Sequence, residues 1–223
     1  PQKTPGDKAA DADKPTDSDK PADDNVVMLF NGKDLTGWKS SKFGGDGVPH
    51  AEDGELILPV GELLTGGTYT KFDELPRVNY EIEFDAMRVD GTDFFGGITF
   101  PYKDTYASLI IGGWGGGVAG ISSIDGLDAS ENETTSYQEF EKNKWYHVRL
   151  RVLEDKFEAW LDKEKIVDVN VKGRKVDIRP EVELSKPLGF ASFQTTAALK
   201  NIKLRRLEPT QQSPKAGEPE SQK

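Results

Sequence analysis

Apolar and polar side chains alternate with a period of two through the middle of this chain, and that period leaves little choice but β-structure. In Tyr80-Glu-Ile-Glu-Phe-Asp-Ala86, Tyr80, Ile82, Phe84 and Ala86 share one face while Glu81, Glu83 and Asp85 share the other. Trp145–Val152 repeats the pattern, with Tyr146, Val148, Leu150 and Val152 inward and His147, Arg149 and Arg151 outward. Further strands are predicted over 156–162, 165–171, 189–193 and 199–204, the first two joined by a short polar hairpin link at Asp162-Lys-Glu-Lys165. No dozen-residue window carries a 3.6-residue repeat, and a short turn over Lys71–Leu75 is the one helical expectation. Roughly a dozen strands are too many for a seven-stranded immunoglobulin-like sandwich. The prediction is all-β: a two-sheet antiparallel jelly-roll sandwich with one side of each sheet facing water.

Both ends fall outside that sandwich. Residues 1–24 hold no aromatic or β-branched aliphatic side chain, and the end from 209 to 223 mixes Pro209, Pro214 and Pro219 with Gln, Ser, Glu and Lys. Such segments bury too little apolar surface to offset the entropy of ordering them, so two disordered tails are expected to flank one domain over residues 25–208. Pro1 followed by a Pro/Asp/Lys tail leads us to expect a removed signal peptide or lipid anchor upstream, an arbitrary boundary being the alternative. A secreted, periplasmic or envelope-associated protein is the expectation that follows, and no apolar run nears the roughly 20 residues needed to cross a bilayer. The chain has no cysteine, which excludes disulfides and thiolate metal sites. Its formal charge of −10, with Arg205-Arg206 as no more than a basic pair near a strand end, argues against nucleic acid.

The stretch Leu29-Phe-Asn-Gly-Lys-Asp-Leu-Thr-Gly-Trp38 reads as a strand, a polar turn and a closing tryptophan. It resembles the opening signature of the 3-keto-disaccharide hydrolase-like domain family. Trp145-Tyr-His-Val-Arg-Leu-Arg151 and Leu199-Lys-Asn-Ile-Lys-Leu204 resemble that family's late strands, and the likeness covers about residues 26–207. The resemblance implies a concanavalin A-like fold, a carbohydrate partner and a carbohydrate-active hydrolase (glycosidase) activity on glycosides oxidised at C3. The alternative is a non-catalytic, lectin-like glycan-binding module of the cell envelope. Two strands depart from the family pattern. Ala107 and Gly112, in Thr105–Gly113, stand where acidic groups are expected, and Phe94–Phe100 replaces an Asn-Ser-Gly strand.

The least ordinary local sequence is Gly112-Gly-Trp-Gly-Gly-Gly117, a tryptophan among five glycines. Few neighbours in sequence can cover its ring, so Trp114 is the leading candidate platform for stacking on a sugar. A glycine bulge folding the ring into the core is the alternative. Tyr106 fits the same binding face. Asp125, Asp128, Glu131 and Glu133 place four carboxylates within nine residues, beside Asn132. They suit acid–base work on a glycosidic bond, oxygen ligation of Ca2+, hydrogen bonding to sugar, or simply a solvated acidic loop. Catalytic roles are expected of His50, Asp125 or Glu131, and substrate contacts of Trp114, Tyr106, Asp93, Asp128, Asn132 and Glu133. Asn132-Glu-Thr134 is also a glycosylation sequon. Phosphate-binding loops, a His-Glu-x-x-His motif and a nucleophile-elbow serine are all absent.

Overall fold

A computed structural model describes residues 25–208; the two tails expected at 1–24 and 209–223 lie outside the described residues. The strands are β1 (Val26–Met28), β2 (Trp38–Ser40), β3 (His50–Glu52), β4 (Glu55–Leu58), β5 (Leu64–Tyr69), β6 (Tyr80–Gly91), β7 (Gly97–Tyr102) and β8 (Thr105–Gly113). They continue as β9 (Val118–Ser122), β10 (Ser136–Tyr137), β11 (Trp145–Val152), β12 (Lys156–Leu161), β13 (Glu164–Asn170), β14 (Gly189–Phe193) and β15 (Thr195–Arg206). Two short 3-10 turns, Phe72–Glu74 and Pro180–Ser185, are the only helical elements among the described residues. None is long and apolar enough to cross a membrane.

The strands form two antiparallel sheets, as the alternation predicts. An eight-stranded sheet runs β13-β12-β11-β6-β15-β4-β3, with β1 beside β15, and a seven-stranded sheet runs β10-β9-β8-β7-β14-β5-β2. Between them lie Ile82 and Phe84 of β6, Val148 and Leu150 of β11, Phe100 of β7, Leu109 of β8 and Phe190 of β14, all with no exposed surface. Phe84 and Phe190 meet edge to face across the gap, ring centres 4.8 Å apart. Each such side chain contributes about 1.5–3 kcal/mol on leaving water.

The opening motif works as a clasp. Asn31 Oδ1 accepts the amides of Lys33 and Asp34 at 2.8 and 3.0 Å, and Asp34 Oδ1 accepts the amide of Thr36 at 2.8 Å. The turn brings Trp38 back to the core, where its indole donates to the Leu29 carbonyl at 2.8 Å.

The two outer faces differ. That of the eight-stranded sheet is a lattice of charge: Arg151 reaches Glu81 at 3.0 Å, Lys203 and Arg205 each reach Glu83 at 2.9 Å, and Lys165 reaches Glu158 at 2.6 Å. Trp160 and Trp145 belong to this face, roofed by Arg149 at 3.9 Å and Lys200 at 3.7 Å. The outer face of the seven-stranded sheet departs from the expected water-facing surface, because Leu64, Ile110 and Phe193 point outward there and the segment around Pro180–Ser185 packs over it. β15 ties the two ends of the sandwich together. Its first residue, Thr195, is bonded to Asp93, and at its far end the Arg206 amide donates to Asn25 where the described chain begins.

Candidate functional site

Strand alternation makes a cleft on that second face. In β8, Ala107, Leu109 and Ile111 enter the core, so Ser108 and Ile110 must face out. The same rule sends Ile121 of β9 inward and Ser122 outward, and Phe190 of β14 inward and Phe193 outward. The resulting hollow has a volume of about 450 Å³, walled on one side by Arg179, Glu181 and Val182 and on the others by Phe43, Leu63 and Trp114. That lies within the range of roughly 300–1,000 Å³ typical of small-ligand sites.

One end of the cleft is built by a buried arginine. Continuing the inward positions of β6 past Ala86 brings the chain to Arg88, 5% exposed. Its guanidinium donates to the carbonyls of Gly112 and Gly116 at 3.2 and 2.9 Å, of Asp93 at 3.2 Å and of Phe140 at 3.4 Å, and lies 4.9 Å over the Phe95 ring. Burial pushes this guanidinium below its ordinary range, and the nearby Asp93 carboxylate works against that push. Two glycines make the approach possible: a Cβ on Gly112 would stand 2.6 Å from the Arg88 Nη2, and one on Gly116 would stand 2.6 Å from the Thr92 carbonyl. Asp93 closes the loop from the other side, its carboxylate accepting the amides of Phe94 at 2.8 Å and Gly115 at 2.9 Å. Between these anchors Trp114 sits at φ +50°, in the left-handed region, and is 42% exposed at the cleft rim.

The opposite wall is ionic. Ser122 donates to Asp128 at 3.0 Å; Asp128 accepts from Arg179 Nη1; Arg179 Nη2 donates to Glu181 at 2.8 Å. The Glu181 carboxyl is held below its usual range chiefly by the hydrogen bond from Arg179, and the Arg179 guanidinium is held above its own by Glu181. At neutral pH this wall offers a cation, a carboxylate and a hydroxyl side by side. Sequence inspection passed over Arg88, Arg179 and Glu181. An arginine at an inward position of β6 was a usable signal for the first.

The residues singled out in the sequence scatter around this cleft. Trp114 and Asp93 line it, and Asp128 stands behind its ionic wall, bonded to Ser122 and Arg179. Tyr106 shares the outward face of β8, but its ring lies between Arg77 at 4.8 Å and Lys186 at 5.0 Å, outside the cleft lining. His50 belongs to β3 on the edge of the other sheet, where its ring bonds the Val48 carbonyl at 3.0 Å; the expected general base is therefore not at the cleft.

The four carboxylates of the acidic loop do not converge either. Asp125 accepts from Arg174 at 2.6 Å and from the Lys175 amide at 2.8 Å, and Glu133 is paired with the same arginine. Both carboxyls are held low by that pairing. Glu131 is exposed and outside the cleft lining. Asn132 is 7% exposed and donates to the Ile121 and Leu127 carbonyls while its oxygen accepts from Thr134. It is spent inside the loop and is closed to both sugar and glycosylation. Among the described residues no three His, Asp or Glu side chains gather in a metal-binding arrangement; Asp125 and Glu133 share Arg174, and Asp128 is held by Arg179.

Comparison with known proteins gives the fold its relatives. Crh5 transglycosylase, solved in complex with NAG, superposes with a TM-score of 0.55 at 10% identity, covering 83% of this chain and 85% of that one. A sialidase gives 0.51 at 13% identity over 79% of this chain, which spans 17% of the sialidase. The carbohydrate-binding module CBM66 from Bacillus subtilis gives 0.49 at 17% identity, covering 77% of this chain and 96% of the module. At such identities the likeness is one of fold. No curated protein matches the sequence. Residues 25–205 match the family described as the 3-keto-alpha-glucoside-1,2-lyase-like domain, so this chain is a member of that carbohydrate-related family, as its opening motif implies.

Proposed function

We propose that this domain binds carbohydrate in the cleft on the seven-stranded sheet, with Trp114 as stacking platform and Ser122, Arg179 and Glu181 as hydrogen-bonding partners of sugar hydroxyls. The observation that carries the reading is the pairing of an exposed tryptophan with an ionic wall across one hollow. Sugar rings present apolar C–H faces to aromatics and hydroxyls to charged groups, and such a site meets both needs. The acids of the cleft are poor proton donors to a glycosidic oxygen: Asp93 gives its oxygens to backbone amides and Glu181 is held ionised. In this reading the domain works outside the cytoplasm, at the envelope, where polysaccharide lies. Titration calorimetry of the full chain against a glycan panel tests it. Trp114→Ala and Arg179→Gln should each weaken binding, and an unaffected affinity in both variants would reject this site.

A second reading is favoured by one feature, the Glu181–Arg179 pair open to the cleft. The ketone of a 3-keto-glucoside acidifies the C2–H. Glu181 would remove that proton, Arg179 would hold the resulting enolate oxygen, and collapse to the C1=C2 alkene would expel the aglycone, which regains a proton. Incubation with 3-keto-trehalose and unoxidised trehalose separates the two readings. Release from the keto sugar alone, lost in Glu181→Gln, supports elimination; binding without release supports the module.

A further inference from the structure

We propose that the cleft takes a glycoside carrying an apolar aglycone, rather than a ligand made of sugar units alone. The inference rests on the carbohydrate reading above. Polar groups occupy one corner, at Ser122, Arg179 and Glu181. The other polar side chains of the lining are already engaged, Asp93 by the amides of Phe94 and Gly115 and Ser108 by the Thr99 hydroxyl. The rest is mainly hydrocarbon: Leu64 and Ile110 line the floor, and Phe94 and Phe193 lie stacked beside them, ring centres 6.0 Å apart and planes 25° from parallel. Leu63 stands on the rim with 55% of its surface open to water, while its carbonyl is fixed by the Gln194 amide at 2.8 Å.

A second sugar unit laid over this half would bring hydroxyls against Leu63, Leu64 and Phe193, where they would give up water and gain no partner. An aryl or alkyl group would instead cover the open apolar surface of Leu63 and Phe193. The two halves thus match the two halves of an amphiphilic glycoside, with the sugar toward Arg179 and the aglycone toward Phe193. A cleft serving only to stack an oligosaccharide would have no use for an exposed leucine in a lining that also holds two stacked phenyl rings.

The test measures dissociation constants of the full 223-residue chain for methyl, phenyl and hexyl glycosides of glucose, galactose and mannose in both anomers, with phenol and hexanol as controls. Phenyl or hexyl glycosides of the preferred sugar should bind about tenfold or more tightly than the methyl glycoside. Leu63→Ala should shrink that advantage several-fold while leaving the methyl glycoside unchanged, and Arg179→Gln should weaken all three together. Should Leu63→Ala not fold, Phe193→Leu serves the same comparison. Equal affinity for methyl and hexyl glycosides overturns the aglycone assignment and leaves the carbohydrate reading standing. Phenol or hexanol binding as tightly as its glycoside, or no binding by any compound, overturns both.

Discussion

Arg88 and Gly112 are fitted to each other: the guanidinium donates to the glycine carbonyl at 3.2 Å, and the space it uses is space a Cβ at position 112 would fill. A cation with no carboxylate in contact is thereby held in the sandwich by carbonyl dipoles and the faces of Phe95 and Phe140. Arg88→Met should destabilise the domain by about 2–4 kcal/mol, because it strands several carbonyls away from water. Arg88→Lys should recover only part of this, since an ammonium cannot fork to Gly112, Gly116 and Asp93 together. Urea unfolding of the three proteins gives the comparison.

Gly112→Ala and Trp114→Ala should part company. The first adds a Cβ 2.6 Å from Arg88 at φ +80° and should cost roughly 1–3 kcal/mol of stability. The second removes an exposed ring and should leave stability within about 0.5 kcal/mol. It should weaken glycan binding on the order of 1 kcal/mol, about fivefold. Melting curves and calorimetry on both variants read the two effects separately.

Asn132 offers a check on the acidic loop. Asn132→Ala removes the side-chain donor from the carbonyls of Ile121 and Leu127, the latter keeping the Ile124 amide, takes the acceptor from Thr134, and should cost about 1–3 kcal/mol. Ligand affinity of the folded fraction should not change. A loss of affinity with unchanged stability would return Asn132 to the binding face.

Acid should weaken the domain in a definite window. Hydrogen bonds from Thr36 and Asn31 hold the Asp34 carboxyl at about 2, below its value in the unfolded chain. Burial pushes the Glu158 carboxyl up, but Lys165 and Lys156 outweigh it and hold it below the ordinary range. Groups lowered in the folded state contribute fully above their unfolded values, about 3.9 for Asp and 4.3 for Glu, and lose that contribution as pH falls through the folded ones. The urea midpoint should therefore drop below about pH 4, and Asp34→Asn should flatten the lower part of that fall. Carboxyl NMR titration of Asp34 checks the assignment directly.

Much of the sandwich was legible because strand alternation is a local property. Tyr80–Ala86 and Trp145–Val152 announce their inward faces within eight residues or fewer, and the pairing of Leu150 with Ile82 follows that choice. The exposed Trp114 was also readable, from the glycines around it. The ion pairs of the acidic loop were not legible because its partners are distant: Arg174 lies 49 residues beyond Asp125, and Arg179 lies 51 beyond Asp128. Spacing within a loop cannot reveal a cation that another loop delivers. The distance of His50 from the cleft was hidden for a similar reason, since only the crossover of strands decides which sheet a short edge strand joins.

β15 runs from the cleft to the chain's entry point, eleven residue steps from Thr195 to Arg206, or roughly 35 Å at about 3.3 Å each. Asn25 and Arg206 meet at its far end, so the described domain has its points of attachment at one pole and its hollow at the other. A tether that leaves the described residues at Asn25 or beyond Arg206 therefore starts at the end of β15 remote from the Asp93–Thr195 contact, and the approach to the Trp114 rim does not pass its root.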